Sequence, residues 1–500
     1  MRYTKFKTKK KKSYSFLYLI LMISAFFLIV NSYLSQLDDE TNANANQTID
    51  FSALPADKQN NLPILVIDTN GQEIESNLEK KEIEVNGIMR KVNQPTKKYK
   101  ASMKLYEPGL SGYTIIGQNE SPTIESELII NVRGQSSLKY RKKQYTIRLV
   151  DEYDLKNPQA LLGMNSHDKW VLNGLYSDKS LIRNHLAYKM GRDTMEYAPD
   201  TRFVEVYLND TDGELNTQDH YNGVYLLTEK IERDPNRVSI EKNSEEYKDI
   251  SFIFSRDKIK AGDVVLKSDW NLLEEDFIID ANNNVKVGTV FTTTYPSKKN
   301  MTDEYQKEIV EYINKFEYSL RSSHFENQRE GYRKYIDVDS FIDFAIINEI
   351  TKNIDGGEVS TYYHKDIGGL MNAGPIWDFD QSMGNTPIEE INEPTGFRMV
   401  NVIWYERLFQ DEAFVKRYKT KYKQYRNTIW SDNNIDNLID EAMLELGPST
   451  DRNRERWYKE DSEQDYEKEV EDIRVFLKQR FDWMDKHINL INRIKENAVE

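Results

Sequence analysis

Residues 340–380 read SFIDFAIINEITKNIDGGEVSTYYHKDIGGLMNAGPIWDFD, and the fold turns on how this stretch is read. Ser340 to Thr351 is apolar on most sides, which predicts a buried helix. Asp355 follows on a loop loosened by Gly356 and Gly357, and Gly368-Gly369 marks the turn of a short hairpin. In an extended Trp377-Asp378-Phe379-Asp380 segment, side chains alternate, so Asp378 and Asp380 share one face while Phe379 points into the core. Two carboxylates on one face repel unless a cation neutralises them, and hard oxygen ligands suit Mg²⁺ or Mn²⁺. Two bland readings stand beside these: a pair of solvated aspartates next to a loop, and an Asp355-Gly356 dipeptide that is only a turn.

Working outward, residues 127–150 (ELIINVRGQSSLKYRKKQYTIRLV) predict a β-hairpin with a cationic tip. Backbone N–H groups around Arg133 and Gly134, the hydroxyls of Ser136 and Ser137, and the cations Lys139, Arg141, Lys142 and Lys143 offer the chemistry that phosphates require. A solvated basic loop has the same composition. Lys169, Arg183, Asn184, Glu229 and Lys230 are likewise either cleft residues or ordinary surface groups. A helix is predicted over SDKSLIRNHLAYKMGRD, capped by Ser177 or Asp178, and strands over FVEVYLN and YNGVYLLTEKI. Ile309, Tyr312, Ile313, Phe316 and Leu320 fall on one face of a helix from about Thr302 to Ser322. The organisation expected is a β-rich segment at 61–125, a core at 126–400 and a charged helical region at 401–500, giving an α+β body with a β-rich N-terminal lobe and a helical C-terminal lobe.

The 500 residues include no Cys and six scattered His, which excludes disulfides, thiol nucleophiles, Fe–S clusters and His-rich zinc sites. The formal charge of −15 divides unevenly: seven cations among the first twelve residues leave −22 on the remainder. Such an acidic body repels a phosphate backbone, so no nucleic-acid partner is expected. A basic or Ser-rich protein substrate fits better. Between the cations and Asp38, residues Tyr14 to Leu34 are long enough, at ~1.5 Å per residue, to span a hydrocarbon core of ~30 Å. Residues 1–35 are therefore read as a basic tip with one N-terminal transmembrane or signal-anchor helix, and 36–60 as a polar linker. The body is expected outside the cytoplasm, anchored in the membrane by that helix, or secreted if the segment is cleaved.

Protein kinases have the same order of buried helix, loop acid, short hairpin and Asp-Phe-Gly, whose Asp holds a metal. Asp355 and Asp378 are 23 residues apart, room for two short strands and a turn, while the kinase Asn five positions after the base falls on Ser360. No GxGxxG or Walker A sequence is present. The ordered segments RGQSSLKYRKKQYTIRL, LLGMNSHDKWVLNGLYSDKSLIRNHLAY, YAPDTRFVEVYLN, YNGVYLLTEKI, NEITKNIDGG, STYYHKD and AGPIWDFDQSMGN resemble the motifs of the spore coat protein H (CotH) family, over about Leu62 to Asn401. The resemblance implies an atypical protein-kinase-like fold that binds ATP with Mg²⁺ (or Mn²⁺) and phosphorylates Ser in surface or coat proteins. It points to Asp355 as the catalytic carboxylate and Asp378 as the metal carboxylate, with Asp380 adjacent. For nucleotide phosphates it leaves Arg133, Ser136, Ser137, Lys142, Lys169 and Lys230 unranked.

Two other functions compete. ATP is scarce outside the cytoplasm, which favours a kinase-like surface scaffold or adhesion protein without turnover, yet a scaffold has no use for paired acids. A two-carboxylate glycan hydrolase needs its acids on opposite sides of the scissile bond, and neighbours on one strand face are too close together for that.

Overall fold

The computed structural model describes residues 60–85, 88–109, 112–116, 121–269, 289–460 and 465–491. All of them lie within one compact unit, Asp57–Glu500. The basic tip, the apolar segment and the linker up to residue 59 lie outside the described residues. Among the described residues, no helix is long and apolar enough to cross a membrane.

The first lobe is a closed barrel. Its strands are β1 (Ile64–Asp68), β4 (Tyr99–Tyr106), β5 (Ile124–Arg133), β6 (Gln144–Val150), β7 (Lys169–Asn173), β8 (Thr201–Asn209) and β9 (Tyr221–Glu229), with a separate ribbon of β2 (Lys80–Val85) and β3 (Ile88–Asn93). The order around the barrel is β1-β4-β5-β6-β7-β9-β8, and β8 returns to pair in parallel with β1. Alternation sets the register: in β4, Tyr99, Ala101, Met103 and Leu105 are buried while Lys100 and Lys104 face away. Leu128, Ile130, Ile147, Trp170 and Tyr225 fill the same interior. Each such side chain contributes about 1.5–3 kcal/mol by leaving water. Strands on both sides of residue 125 thus close one barrel. Helix α1 (Arg183–Arg192) follows β7.

The second lobe begins with a five-stranded sheet of order β11-β12-β10-β13-β14, built from β10 (Phe252–Lys258), β11 (Val265–Leu266), β12 (Thr289–Tyr295), β13 (Thr361–Lys365) and β14 (Met371–Ala373). Helices α2 (Asp303–Arg321) and α3 (Val338–Thr351) belong to the same core. Thr302 caps α2 by accepting from the Tyr305 N–H, and Ile309, Ile313, Phe316 and Leu320 form its buried face. Asp337 caps α3, which is buried at every position from Phe341 to Thr351. An aromatic cluster joins helix to sheet: Trp404 packs 4.9 Å from Tyr363 and 5.0 Å from Phe316, centroid to centroid. Helices α4 (Glu412–Asn427) and α5 (Asp432–Leu446) extend the lobe, α6 (Ser449–Tyr458) lies against β9 of the barrel, and α7 (Tyr466–His487) completes the lobe. Arg480 of α7 forms a fully buried ion pair with Glu349 of α3 at 2.6 Å.

Two sequence expectations need correction. The helix expected from Ser177 starts only at Arg183, because Asp178 folds the preceding residues into turns. Its carboxylate accepts from the N–H groups of Ser180 at 3.1 Å and Arg183 at 2.9 Å and pairs with the Arg183 guanidinium at 2.6 Å. The Asp-Phe-Asp segment is not a strand either. β14 stops at Ala373, and Asp378 adopts φ +66°, a left-handed conformation that Asp tolerates better than most residues.

Candidate active site

A cleft of about 250 Å³ opens where the β5–β6 tip meets β10 and the loops after α3 and β14. Its upper wall is the cationic tip. Gly134 has φ +110°, and a Cβ there would lie 1.9 Å from Ser137 Oγ, so the tight start of the tip requires glycine. The Arg133 guanidinium stands over the Trp377 ring at 5.2 Å. Gln135 accepts from Asn93 at 2.7 Å and donates to the Lys258 carbonyl at 3.0 Å, and Lys258 Nζ donates to Ser136 Oγ at 3.1 Å. The tip is thereby tied to the end of β10.

The lower wall carries the acids. Asp355 leaves α3 through Lys352, which takes φ +45° and ends the helix. The loop is fixed from outside: Arg398 donates to the carbonyls of Gly356 (2.8 Å) and Ile354, and Arg256 donates to that of Gly357 at 3.2 Å. A Cβ on Gly356 would lie 2.3 Å from Asn348 Oδ1, so the loop packs onto α3 only as glycine. Two backbone bonds join this loop to the Asp-Phe-Asp loop, Ile354 N–H to the Gln381 carbonyl and Met383 N–H to the Thr351 carbonyl. Asp378 accepts from Ser360 Oγ at 3.1 Å, and Asp380 accepts from Ser177 Oγ. Phe379 is fully buried, so the left-handed turn at Asp378 delivers the arrangement that strand alternation predicts by another route. Tyr188 OH accepts from the Asp378 N–H at 3.2 Å, and Asn184 Oδ1 accepts from that of Phe379.

Crowded acids in a half-dry cleft disfavour their own ionisation. Burial, and then the charge of Asp378, push the Asp355 carboxyl up to about 7. The same two causes raise Asp380, and burial raises Asp257 at the end of β10. Among the described residues there is no group of three or more His, Asp or Glu side chains arranged to hold a metal ion. The donors still fit Mg²⁺, which keeps water and takes one or two carboxylates plus substrate phosphates in place of an all-protein cage. Asp378 and Asp380 are the residues that would hold it.

The structure gathers Asp355, Asp378, Asp380, Arg133, Ser136 and Ser137 around one cleft. It does not gather the three lysines. Lys142 is 1% exposed and points away, donating to the Val224 carbonyl and to Asn453 Oδ1 at 2.8 Å. Lys169 and Lys230 both bond to Glu232, at 2.8 and 2.7 Å. Burial opposes ionisation of Glu232, but the two lysines outweigh it and hold the carboxyl at about 2. In their place the cleft offers Lys258, beside Asp257 in the FIFSRDK strand, Lys260, and Tyr140 near Asp380, whose carboxylate accepts from Ser177. The only sequence signal for Lys258 is an acid–base pair ending an apolar strand.

A barrel lobe, a helical lobe, a cationic tip over the cleft and loop acids beneath it make up one mixed α+β body. The chain belongs to the CotH kinase family, whose model, described as CotH kinase protein, matches residues 130–484. The match runs from β5 through nearly all of α7. No curated protein matches the chain.

Proposed function

We propose that this protein is an ATP- and Mg²⁺-dependent kinase that phosphorylates Ser hydroxyls of surface or coat proteins. The observation that carries the reading is the pair Asp355 and Asp378 on two hydrogen-bonded loops of one cleft, with Asp355 raised to about 7. A carboxylate that titrates near neutral pH is matched to accepting a proton from an acceptor hydroxyl. Arg133 and Lys258 supply positive charge for the nucleotide phosphates, and Ser136 and Ser137 supply hydroxyls. A divalent cation at Asp378 and Asp380 would offset phosphate charge during transfer.

A groove of about 550 Å³ beside the Asp355 loop supports a basic acceptor segment. Glu390 and Glu393 line it, Glu358 there is paired with Arg256 at 3.0 Å, and Lys352 and Arg398 are engaged with backbone carbonyls. We place the enzyme outside the cytoplasm, anchored through residues 14–34 or secreted after cleavage. Protease access to the body on intact cells tests that location.

The activity is tested in two steps. ATP with Mg²⁺ or Mn²⁺ raises the Tm of the wild type, and the shift is absent without metal and in Asp378→Ala. Labelled phosphate passes from ATP to casein or to the protein itself, and Asp355→Ala abolishes transfer while keeping the thermal shift. No shift in the wild type would overturn the nucleotide reading and leave a kinase-like scaffold.

A further inference from the structure

Helix α6 belongs to the C-terminal region, yet it is bonded to the barrel. Trp457 Nε1 donates to the Asn222 carbonyl at 2.9 Å, and Arg456 Nε donates to that of Tyr221 at 2.8 Å. Asn453 Oδ1 accepts from the Val224 N–H at 3.1 Å and from Lys142 Nζ at 2.8 Å. The approach is close enough that Gly223, at φ +93°, has no room for a Cβ, which would lie 2.6 Å from Asn453 Oδ1. Lys142 is the far end of the cationic tip, so α6 holds the loop whose other end covers the cleft.

A second set of contacts runs from α6 to the acids. Tyr458 OH donates to the Tyr176 carbonyl at 2.7 Å, and the two rings stack at 5.3 Å. Tyr176 in turn packs against Tyr140 of the tip at 5.2 Å. The next residue, Ser177, donates to Asp380, and Asn385 Nδ2 clamps the pair by donating to the carbonyls of Ser177 at 2.9 Å and Asp380 at 2.7 Å. One aromatic column therefore meets both walls of the cleft.

We propose that α6 positions the active site, with Tyr458 as the positioning residue that sets the 134–143 tip and the Ser177–Asp380 contact together. Its consequence for nucleotide and metal rests on the kinase reading above; its geometry does not. Removing the column leaves the core of each lobe intact but frees the tip and the Asp380 loop to move independently. The cleft then needs more metal to close on a nucleotide.

The test compares the full-length wild type with Tyr458→Leu and Tyr458→Phe by hydrogen–deuterium exchange without ligand. Tyr458→Leu is expected to speed exchange about tenfold in residues 134–143 and 174–182, with the β4 and β5 amides unchanged. Tyr458→Phe keeps the stack and stays close to wild type. In a second measurement, the Mg²⁺ concentration for half-maximal ATP-dependent thermal stabilisation rises about fivefold in Tyr458→Leu and is restored in Tyr458→Phe. Wild-type exchange in both loops of Tyr458→Leu would overturn the proposal. So would a uniform acceleration through the barrel, which marks α6 as a cap and nothing more. If ATP and Mg²⁺ fail to stabilise even the wild type, the kinase reading falls, and the exchange experiment still decides the role of Tyr458.

Discussion

Asn184 Oδ1 accepts the backbone N–H of Phe379 at 2.7 Å, joining α1 to the Asp-Phe-Asp loop across 195 residues of sequence. Asn184 is fully buried, and its Nδ2 has no hydrogen-bond partner among the described residues. Leaving a buried donor unpaired costs about 1–3 kcal/mol, so Asn184 serves the loop at some expense to the fold. Asn184→Ala is expected to change unfolding free energy by only about 1–2 kcal/mol, because it removes an unpaired donor along with the useful acceptor. The variant loses most of the metal-dependent ATP stabilisation. Urea denaturation and thermal shift measure the two effects separately.

Removing a carboxylate should stabilise the metal-free protein. Asp355 has a folded-state value of about 7, above its unfolded value of about 3.9. The folded state therefore binds more protons than the unfolded chain between those values. Stability from this group is greatest in acid and declines as pH climbs toward 7. Asp378→Asn removes one cause of the rise. Its metal-free Tm is expected to exceed that of wild type at pH 7.5, and the difference should shrink by pH 5; an equal or lower Tm at pH 7.5 counts against mutual repulsion of the acids.

Lys258 lines the cleft, bonded to Ser136 Oγ at 3.1 Å and acting electrostatically on Asp355. A charge-assisted contact to phosphate is worth about 1.5–3 kcal/mol. Lys258→Ala should weaken ATP binding by about tenfold to a hundredfold with the fold retained. Lys169→Ala, which removes a partner of Glu232, should leave ATP affinity near wild type. Calorimetric titration distinguishes the two; equal losses would contradict the assignment.

His185 gives the fold a second pH dependence. It is 8% exposed, its Nδ1 lies 3.0 Å from Thr201 Oγ1, and burial, with Arg192 and Lys189 nearby, holds its pKa down to about 3. The unfolded imidazole titrates near about 6.5, so below that pH the unfolded chain binds a proton that the folded one refuses. Stability from this group is complete above about pH 6.5 and falls by about 1.4 kcal/mol per pH unit below it. His185→Asn is expected to flatten this slope between pH 4.5 and 6.5 in guanidinium titrations.

Local patterns made the acids readable. Asp355 follows a helix that is apolar on most sides and Asp378 stands between two large aromatic residues, and those signals lie within a few residues of each site. Thr302 announced its helix in the same way. The fate of each lysine depends on distant partners: Asn453 lies 311 residues from Lys142, and Glu232 lies 63 from Lys169. Lys258 enters the cleft because β10 pairs with β13, a register that links Arg256 to Thr361. Nothing around residue 258 carries that information. The late start of α1 was hidden because Asp178 acts through its side chain on an N–H five residues onward.

The parallel pairing of β1 with β8 also governs how the body bears load. Ile64 to Asp68 pairs with β4 on one side and β8 on the other, at all five positions. A pull on the chain ahead of Asn60 that is directed along β1 loads both ladders in shear at once, so they yield together and not one bond at a time. Forced unfolding is governed by the unfolding rate, and for β1 that step breaks the pairing on both flanks. The chain thus enters the described body through a strand held on both flanks.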